Sequence, residues 1–178
     1  ISTTKGLRDR AIISLMMTAG LRTIEVVRAD VGDLHYFADS VYLSIQGKGH
    51  DEKSAKVLVA SQVYGFIQEY LQTRKNLSNA EPLFTSTSRR NFNQRLDTQS
   101  ISKLVKKKLR EIFIDDNRHT AHSLRHTAAT QAILNGVPLT QVQQVLRHSN
   151  INTTLIYSHA IERMKNKSEQ TVADAIFN

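Results

Sequence analysis

Apolar residues recur at helical spacing at Leu7, Ala11, Ile12, Leu15 and Met16, the signature of a helix with one face on a core. Thr3 or Thr4 supplies its N-cap and Gly20 its stop. A short helix restarts at Thr23, carries Glu25 and Val27, and breaks near Val31-Gly32. The alternating run Val41-Tyr-Leu-Ser-Ile45 predicts a strand, with Lys56-Val-Leu-Val59 as its partner and the polar segment 46–53 as the connecting turn. Val63, Ile67, Tyr70 and Leu71 mark a helix over about 61–74. Residues 76–93, with Pro82 and several Ser and Thr, read as loop. Ile101, Leu104, Val105, Leu109 and Ile112 form the apolar stripe of a helix over about 100–113. A further helix runs from His122 to Asn135, stopped by Gly136, and Pro138 opens another that reaches about Arg147. Residues 153–157 read as a short helix. The fold class is mainly α, with one small antiparallel hairpin or three-stranded sheet.

The chain has 178 residues, 40% of them hydrophobic, which is enough for one buried core and excludes a wholly disordered protein. It contains no cysteine, so disulfide frameworks and thiolate metal sites are excluded, in keeping with a reducing cytoplasm. Its longest apolar runs are far too short to span a bilayer, and no signal peptide is visible. It begins at Ile1 rather than Met, as a fragment of a longer protein would.

Net charge is +8, a balance that suits nucleic acid as a partner. Arg89, Arg90, Arg95, Lys103, Lys106, Lys107, Lys108 and Arg110 cluster in one stretch, opposed within it by Asp97 alone. Lys103, Lys106, Lys107 and Arg110 share a helix face. That face is either a solvated surface or a track for phosphates.

The chemistry-bearing residues fall in one order: His122-Ser-Leu-Arg125, then Leu146-Arg-His148, then Thr153-Thr-Leu-Ile-Tyr157. Two imidazoles, a fixed cation and a phenol suit attack by tyrosine on a phosphodiester, with developing negative charge held by guanidinium. Arg22 and Lys48 add two earlier cations. Taken singly, each is weak. His-x-x-Arg is often a salt-bridged helix start, a tyrosine is more often a core aromatic, and His148 could simply favour a helix dipole.

Taken together, these segments resemble the tyrosine recombinase family, which includes lambda integrase and the Xer recombinases, across nearly the whole chain. Thr18-Ala-Gly-Leu-Arg22-Thr-Ile-Glu25 is similar to the family's first box, and Gln46-Gly-Lys48-Gly to its β-hairpin lysine. His122-Ser-Leu-Arg125-His-Thr and Val145-Leu-Arg-His148 through Tyr157 are similar to its second box. Arg147 stands where members often have glycine.

The resemblance implies the catalytic-domain fold of that family and six site residues: Arg22, Lys48, His122, Arg125, His148 and Tyr157. Tyr157 would attack the scissile phosphorus, giving a 3′-phosphotyrosyl link and a free 5′-hydroxyl. Arg22 and Arg125 would hold non-bridging oxygens, Lys48 would protonate the leaving 5′ oxygen, His122 would move the tyrosine proton, and His148 would donate to the phosphate. Lys53 and Lys56 compete with Lys48 for the acid role. Glu25 would orient neighbouring basic groups, and His126 and His159 would be structural neighbours. No metal and no nucleotide or other cofactor is required.

Residues 1–160 are thus expected to form a catalytic domain without the family's N-terminal DNA-clamping domain, and 161–178 a mobile tail. In that tail Val172, Ala173, Ile176 and Phe177 make an apolar patch at helical spacing, a helix that could dock in trans on a neighbouring protomer. The implied function is site-specific DNA recombination, as the integrase of a mobile element. A Xer-type resolvase, a type IB topoisomerase-like strand transferase and a non-catalytic DNA-binding module remain alternatives. The implied partners are double-stranded DNA, other copies of the chain in a tetramer on DNA, and a directionality factor; no membrane is implied.

Overall fold

The computed structural model describes residues 3–46, 52–75, 77–147, 155 and 168–177. The chain divides into two units, Ile1–Ala128 and Ala129–Asn178. The boundary expected near residue 160 lies outside the described residues.

In the first unit, helix α1 (Thr4–Ala19) is capped by Thr3, whose hydroxyl accepts from the Gly6 N–H at 3.1 Å. It ends at Gly20 in the left-handed region, φ 58°, where a side chain would be strained. After a short break, Arg22 caps α2 (Thr23–Arg28). A 3-10 turn (Val31–Asp33) then leads into a sheet of β1 (Leu34–Phe37), β2 (Ser40–Ile45) and β3 (Ala55–Val59), antiparallel in that order.

The sheet is therefore three-stranded, and β1 is the strand that the hydrophobic pattern does not reveal. Its His35, Tyr36 and Phe37 are exposed, so the strand lacks an in-out alternation. Its pairing with β2 holds it instead, from Leu34 opposite Leu43 to Phe37 opposite Ser40. The central strand β2 buries Val41, Leu43 and Ile45. Pairing of β2 with β3 runs from Val41 opposite Val59 to Ile45 opposite Ala55.

Helix α3 (Ser61–Leu71) lays Val63, Ile67 and Tyr70 on the core. It stops short of the expected Arg74: the Thr73 and Arg74 N–H groups bond three residues back, to the Tyr70 and Leu71 carbonyls, while the Arg74 guanidinium reaches the carbonyls of Pro82 and Leu83 and the Glu81 carboxylate. The segment after it is less loop-like than its composition suggests. Leu83, Phe84, Thr85 and Ser86 are buried, and the Thr85 hydroxyl meets the Tyr70 hydroxyl at 3.0 Å. The buried Arg8 donates to the Thr85 carbonyl at 2.9 Å while pairing with Asp9. Gly32 lies so close to Asn79 that a Cβ would come within 2.8 Å of it.

Helix α4 (Thr98–Glu111) starts at Asp97, whose carboxylate accepts from the Ser100 N–H. Ile101 and Val105 are buried, but Ile112 is exposed, not part of the stripe. The chain turns at Phe113 with φ 63° and leaves the helix direction there. Helix α5 (Ala121–Leu134) contributes Ala121 and Leu124 to the core formed with α1, α3, α4 and the sheet.

In the second unit, Ala129, Val142 and Leu146 form a smaller apolar cluster with Ala132, Ile133 and Val137. Gly136, at φ 80°, ends α5, and Pro138 caps α6 (Leu139–Leu146). Arg147 then adopts φ 54°, ψ 44°. A non-glycine residue thus holds left-handed geometry here, at some cost in strain. Within the C-terminal stretch, Ser168–Phe177 is helical, the conformation expected from the helical spacing of its apolar residues. The short helix expected over 153–157 falls on residues of which only Leu155 is described.

Candidate active site

Gly20 and Arg22 owe their placement to the break between α1 and α2. The left-handed turn at Gly20 takes the chain out of α1, and Arg22, two residues on, sits at the N-cap of α2. The Arg22 backbone N–H donates to Glu25 Oε2 at 2.7 Å, and its Nη1 donates to Oε1 at 3.1 Å. Glu25 is fully buried while the Arg22 side chain remains about a third exposed (32%). One carboxylate therefore closes the helix start and aims the guanidinium outward.

His122 and Arg125, one turn apart on α5, present different depths. Arg125 is the largest fully buried side chain of the chain's described part, and its Nη1 donates to the Gly20 carbonyl at 2.5 Å. A guanidinium has five N–H donors in a planar fork, so one can be spent on a carbonyl while others serve a second acceptor. His122 is exposed at the mouth, edge-to-face with His126 at 4.5 Å between ring centroids. Partial burial, then the neighbouring His126, Arg125 and Arg22, hold the His122 imidazole below its usual range. Burial and Arg125 do the same to His126. Both rings are thereby biased toward the neutral form.

Arg22 and His122 line one cleft of about 350 Å³ with Leu21, Thr23, Ser102 and Thr120. Three of the six expected site residues, Arg22, His122 and Arg125, are thus gathered in the first unit from segments far apart in sequence. Lys48, His148 and Tyr157 lie outside the described residues, as does His159.

Lys53 is otherwise engaged. Its Nζ meets Asp30 Oδ2 at 2.6 Å and Asp33 Oδ2 at 2.5 Å. Burial works against its charge, but the two carboxylates outweigh that and raise its pKa above the ordinary lysine value. Such an ammonium is a poor proton donor near neutrality. Lys56 is exposed on β3.

The basic stretch is also less open than its sequence suggests. Arg95 pairs with Asp30, Lys106 donates to the Asp116 carbonyl, Lys107 and Lys108 pair with Glu111, and Arg110 pairs with Asp115. Acidic residues just beyond the stretch thus offset most of α4's charge. Among the described residues, Arg89, Arg90 and Lys103 enter no ion pair.

Two features escape sequence reasoning: the role of the Gly20 carbonyl, since backbone atoms carry no sequence signal, and the cluster of Asp30, Asp33, Lys53 and Arg95. Spacing gives no hint of the cluster, although two aspartates in a short turn ahead of a lysine-bearing hairpin are its raw material.

Against known proteins, the phage integrase family profile matches residues 1–164. The chain is 37% identical over 157 residues to tyrosine recombinase XerD of Lacticaseibacillus casei, covering 86% of this chain and 51% of the relative. It is 33% identical over 160 residues to tyrosine recombinase XerC of Natranaerobius thermophilus, again covering 86% and 51%. The chain thus spans about half the length of these relatives. The solved structure of XerH site-specific recombinase bound to palindromic difH substrate, a post-cleavage complex, superposes with TM-score 0.76 at 23% identity, over 95% of this chain and 48% of that one. That likeness concerns the fold: mainly helical, with a small antiparallel sheet. With a buried arginine under an exposed arginine–histidine cleft, this fold, and a family match over most of its length, the chain belongs to the phage integrase family as a tyrosine recombinase catalytic domain.

Proposed function

We propose that this chain cleaves and rejoins double-stranded DNA at specific sites through a 3′-phosphotyrosyl intermediate. The observation that carries the reading is the convergence of Arg22, His122 and Arg125, with Arg125 pinned from below by the Gly20 carbonyl. Fixed guanidinium groups beside a neutral imidazole suit a reaction that builds negative charge on phosphate oxygens and must move a phenolic proton.

In the proposed step the Tyr157 oxygen attacks phosphorus and gives up its proton to His122. The bond from phosphorus to the 5′ oxygen breaks, and that oxygen takes a proton from Lys48. Arg22, Arg125 and His148 hold the non-bridging oxygens throughout. The phosphotyrosyl bond keeps the energy of the broken linkage, so the 5′-hydroxyl of a second DNA can reverse the step. No metal or cofactor takes part. The enzyme acts on cytoplasmic DNA as a tetramer, with a directionality factor setting the outcome.

A suicide DNA substrate, nicked so that the cleaved end is lost, tests the reading. Cognate sites are first selected from a random duplex library by covalent trapping. The chain should form a protease-sensitive DNA adduct, and Tyr157→Phe should form none while still binding. A Tyr157→Phe adduct of equal yield would refute the nucleophile.

The Xer-type alternative to integration is compatible with the relatives, which are tyrosine recombinases XerC and XerD. Faster recombination between two repeated sites on one plasmid than between two plasmids would support it.

A further inference from the structure

A second cavity of the first unit, about 560 Å³, opens at the other end of α1 from the cleft of Arg22 and His122. Its wall includes Lys5 in the first turn of α1, whereas Leu21 and Arg22, just past the helix end, line the cleft. The 16 residues of α1 rise about 24 Å, so the two sites are separate. The rest of the wall comes from the end of α3, from the buried segment at Thr85 and from the turn at Phe92 and Asn93.

This wall holds a hydrogen-bond donor that the protein itself does not use. Tyr70 and Thr85, 0% and 2% exposed, both line the cavity. The Thr85 N–H donates to the Tyr70 hydroxyl oxygen at 3.1 Å, and the two hydroxyls lie 3.0 Å apart. That contact consumes one of the pair's two hydroxyl protons, whichever residue donates it. The other proton meets no acceptor among the described residues. A buried donor without an acceptor is costly, and the cavity beside both residues is where an acceptor can reach it.

The charges around the cavity favour an anionic acceptor. Lys5 and Lys75 line it and enter no ion pair or hydrogen bond among the described residues. Arg74, by contrast, is spent on the Pro82 and Leu83 carbonyls and on Glu81. The Lys5 charge reaches Glu111, but that carboxylate is already held by Lys108 at 2.7 Å. No carboxylate lines the cavity among the described residues. Phe92 adds an aromatic ring, 64% exposed, and Asn93 an amide next to it in sequence. Open cations and a buried donor suit phosphate, while an aromatic face beside an amide suits a heterocyclic base.

We infer that this cavity binds a mononucleotide, with its phosphates on Lys5 and Lys75 and its base against Phe92. An oxygen of the ligand accepts the spare proton of the Tyr70–Thr85 pair. The cavity's volume falls among those of small-molecule sites. Calorimetric titration of the unaltered chain with ADP tests this, with inorganic pyrophosphate and adenosine as separate arms. ADP should bind with a Kd of about 1 mM or tighter, and each fragment at least about fivefold more weakly. Lys5→Gln combined with Lys75→Gln should weaken ADP about tenfold or more. Phe92→Ser should bring ADP down to the level of pyrophosphate and leave pyrophosphate unchanged. Arg22→Ala, which alters only the cleft, should bind ADP as the unaltered chain does.

No heat of binding at about 1 mM ADP would overturn the inference. So would pyrophosphate binding as tightly as ADP, since the cavity would then hold a plain anion. ADP binding lost with Arg22→Ala but kept without the two lysines would place the nucleotide in the cleft instead. Oligothymidylate binding through Lys5 and Lys75 more tightly than ADP would make the cavity a site for single-stranded DNA, and the inference would fall. Lys5, Lys75 and Phe92 are all exposed, so their replacement leaves the core intact. DNA cleavage is not the readout of any arm, so failure here is distinct from failure of the proposed reaction.

Discussion

Arg125 Nη1 donates to the carbonyl oxygen of Gly20 across 105 residues of chain, at 2.5 Å. The left-handed turn that ends α1 therefore does two jobs: it stops the helix, and it offers an acceptor to a buried guanidinium that would otherwise lack one of its partners. Gly20→Ala should destabilise the fold by about 1 kcal/mol, the cost of an L-side chain at this φ. It should slow cleavage by more than that loss explains, because the carbonyl that orients Arg125 shifts. Denaturant melts alongside single-turnover cleavage check this; a rate loss no larger than the stability loss would show that the hydrogen bond does not orient Arg125.

Glu25 holds Arg22 through both backbone and side chain. Glu25→Gln keeps an acceptor for the backbone N–H but loses the charge facing Nη1, so the fold should survive while cleavage falls about tenfold. Glu25→Ala should also remove the cap, at roughly 1 kcal/mol. Melting temperatures and adduct yields for the two variants separate these effects; an unimpaired Glu25→Gln enzyme would mean that Arg22 needs no aiming.

The depressed His122 imidazole sets a pH dependence with a definite sign. Below its ordinary value of 6.5 the unfolded chain takes up a proton that the folded site resists, so this group's contribution to stability declines as pH falls through that window. Above 6.5 both states are neutral there, and no penalty applies. The same shift keeps His122 able to accept a proton below pH 6.5, so the acid limb of single-turnover cleavage attributable to it should have its midpoint below 6.5. His126→Ala removes one cause of the depression, after burial itself, and should move that limb upward toward 6.5. A limb that stays put, measured across about pH 5 to 8, would remove His126 from the account.

Paired lysines should contribute less to DNA binding than open cations. Reversing Arg89 and Arg90 to glutamate should flatten the dependence of log affinity on log salt by up to about 0.9 for each phosphate no longer neutralised. Lys106→Glu should instead lower the melting temperature, because Lys106 ties α4 to the Asp116 carbonyl. Filter binding over a salt series and thermal melts check both; a flatter slope for Lys106→Glu at unchanged stability would return Lys106 to the DNA face.

The helix Ser168–Phe177 exposes Val172, Ile176 and Phe177 at 57%, 67% and 84%. In the tetramer proposed above, such a stripe would find cover on another protomer. Replacing the three with serine should weaken crosslinked multimers on paired sites and leave cleavage of a single suicide substrate intact. Full multimer yield from this variant would rule the helix out as an assembly element.

Sequence alone determined the helices with regular apolar spacing and clear stops. Thr3 and Gly20 bound α1, Gly136 ends α5, and Pro138 opens α6 where the local chemistry of capping predicts. Local interactions are legible because they depend on residues a few positions apart. The order of Arg22, His122 and Arg125 was legible too, through its family resemblance. Tertiary structure alone decided that β1 pairs with β2 despite its exposed side chains, that residues 83–86 are core, and that Arg125 rests on Gly20. It also decided that Lys53 is bound to Asp30 and Asp33 while Lys106 and Arg110 face acidic partners. These depend on which distant segments meet, and on backbone carbonyls common to every residue type. A charge in sequence is therefore only a charge; folding determines whether it meets a carboxylate or remains open to a phosphate.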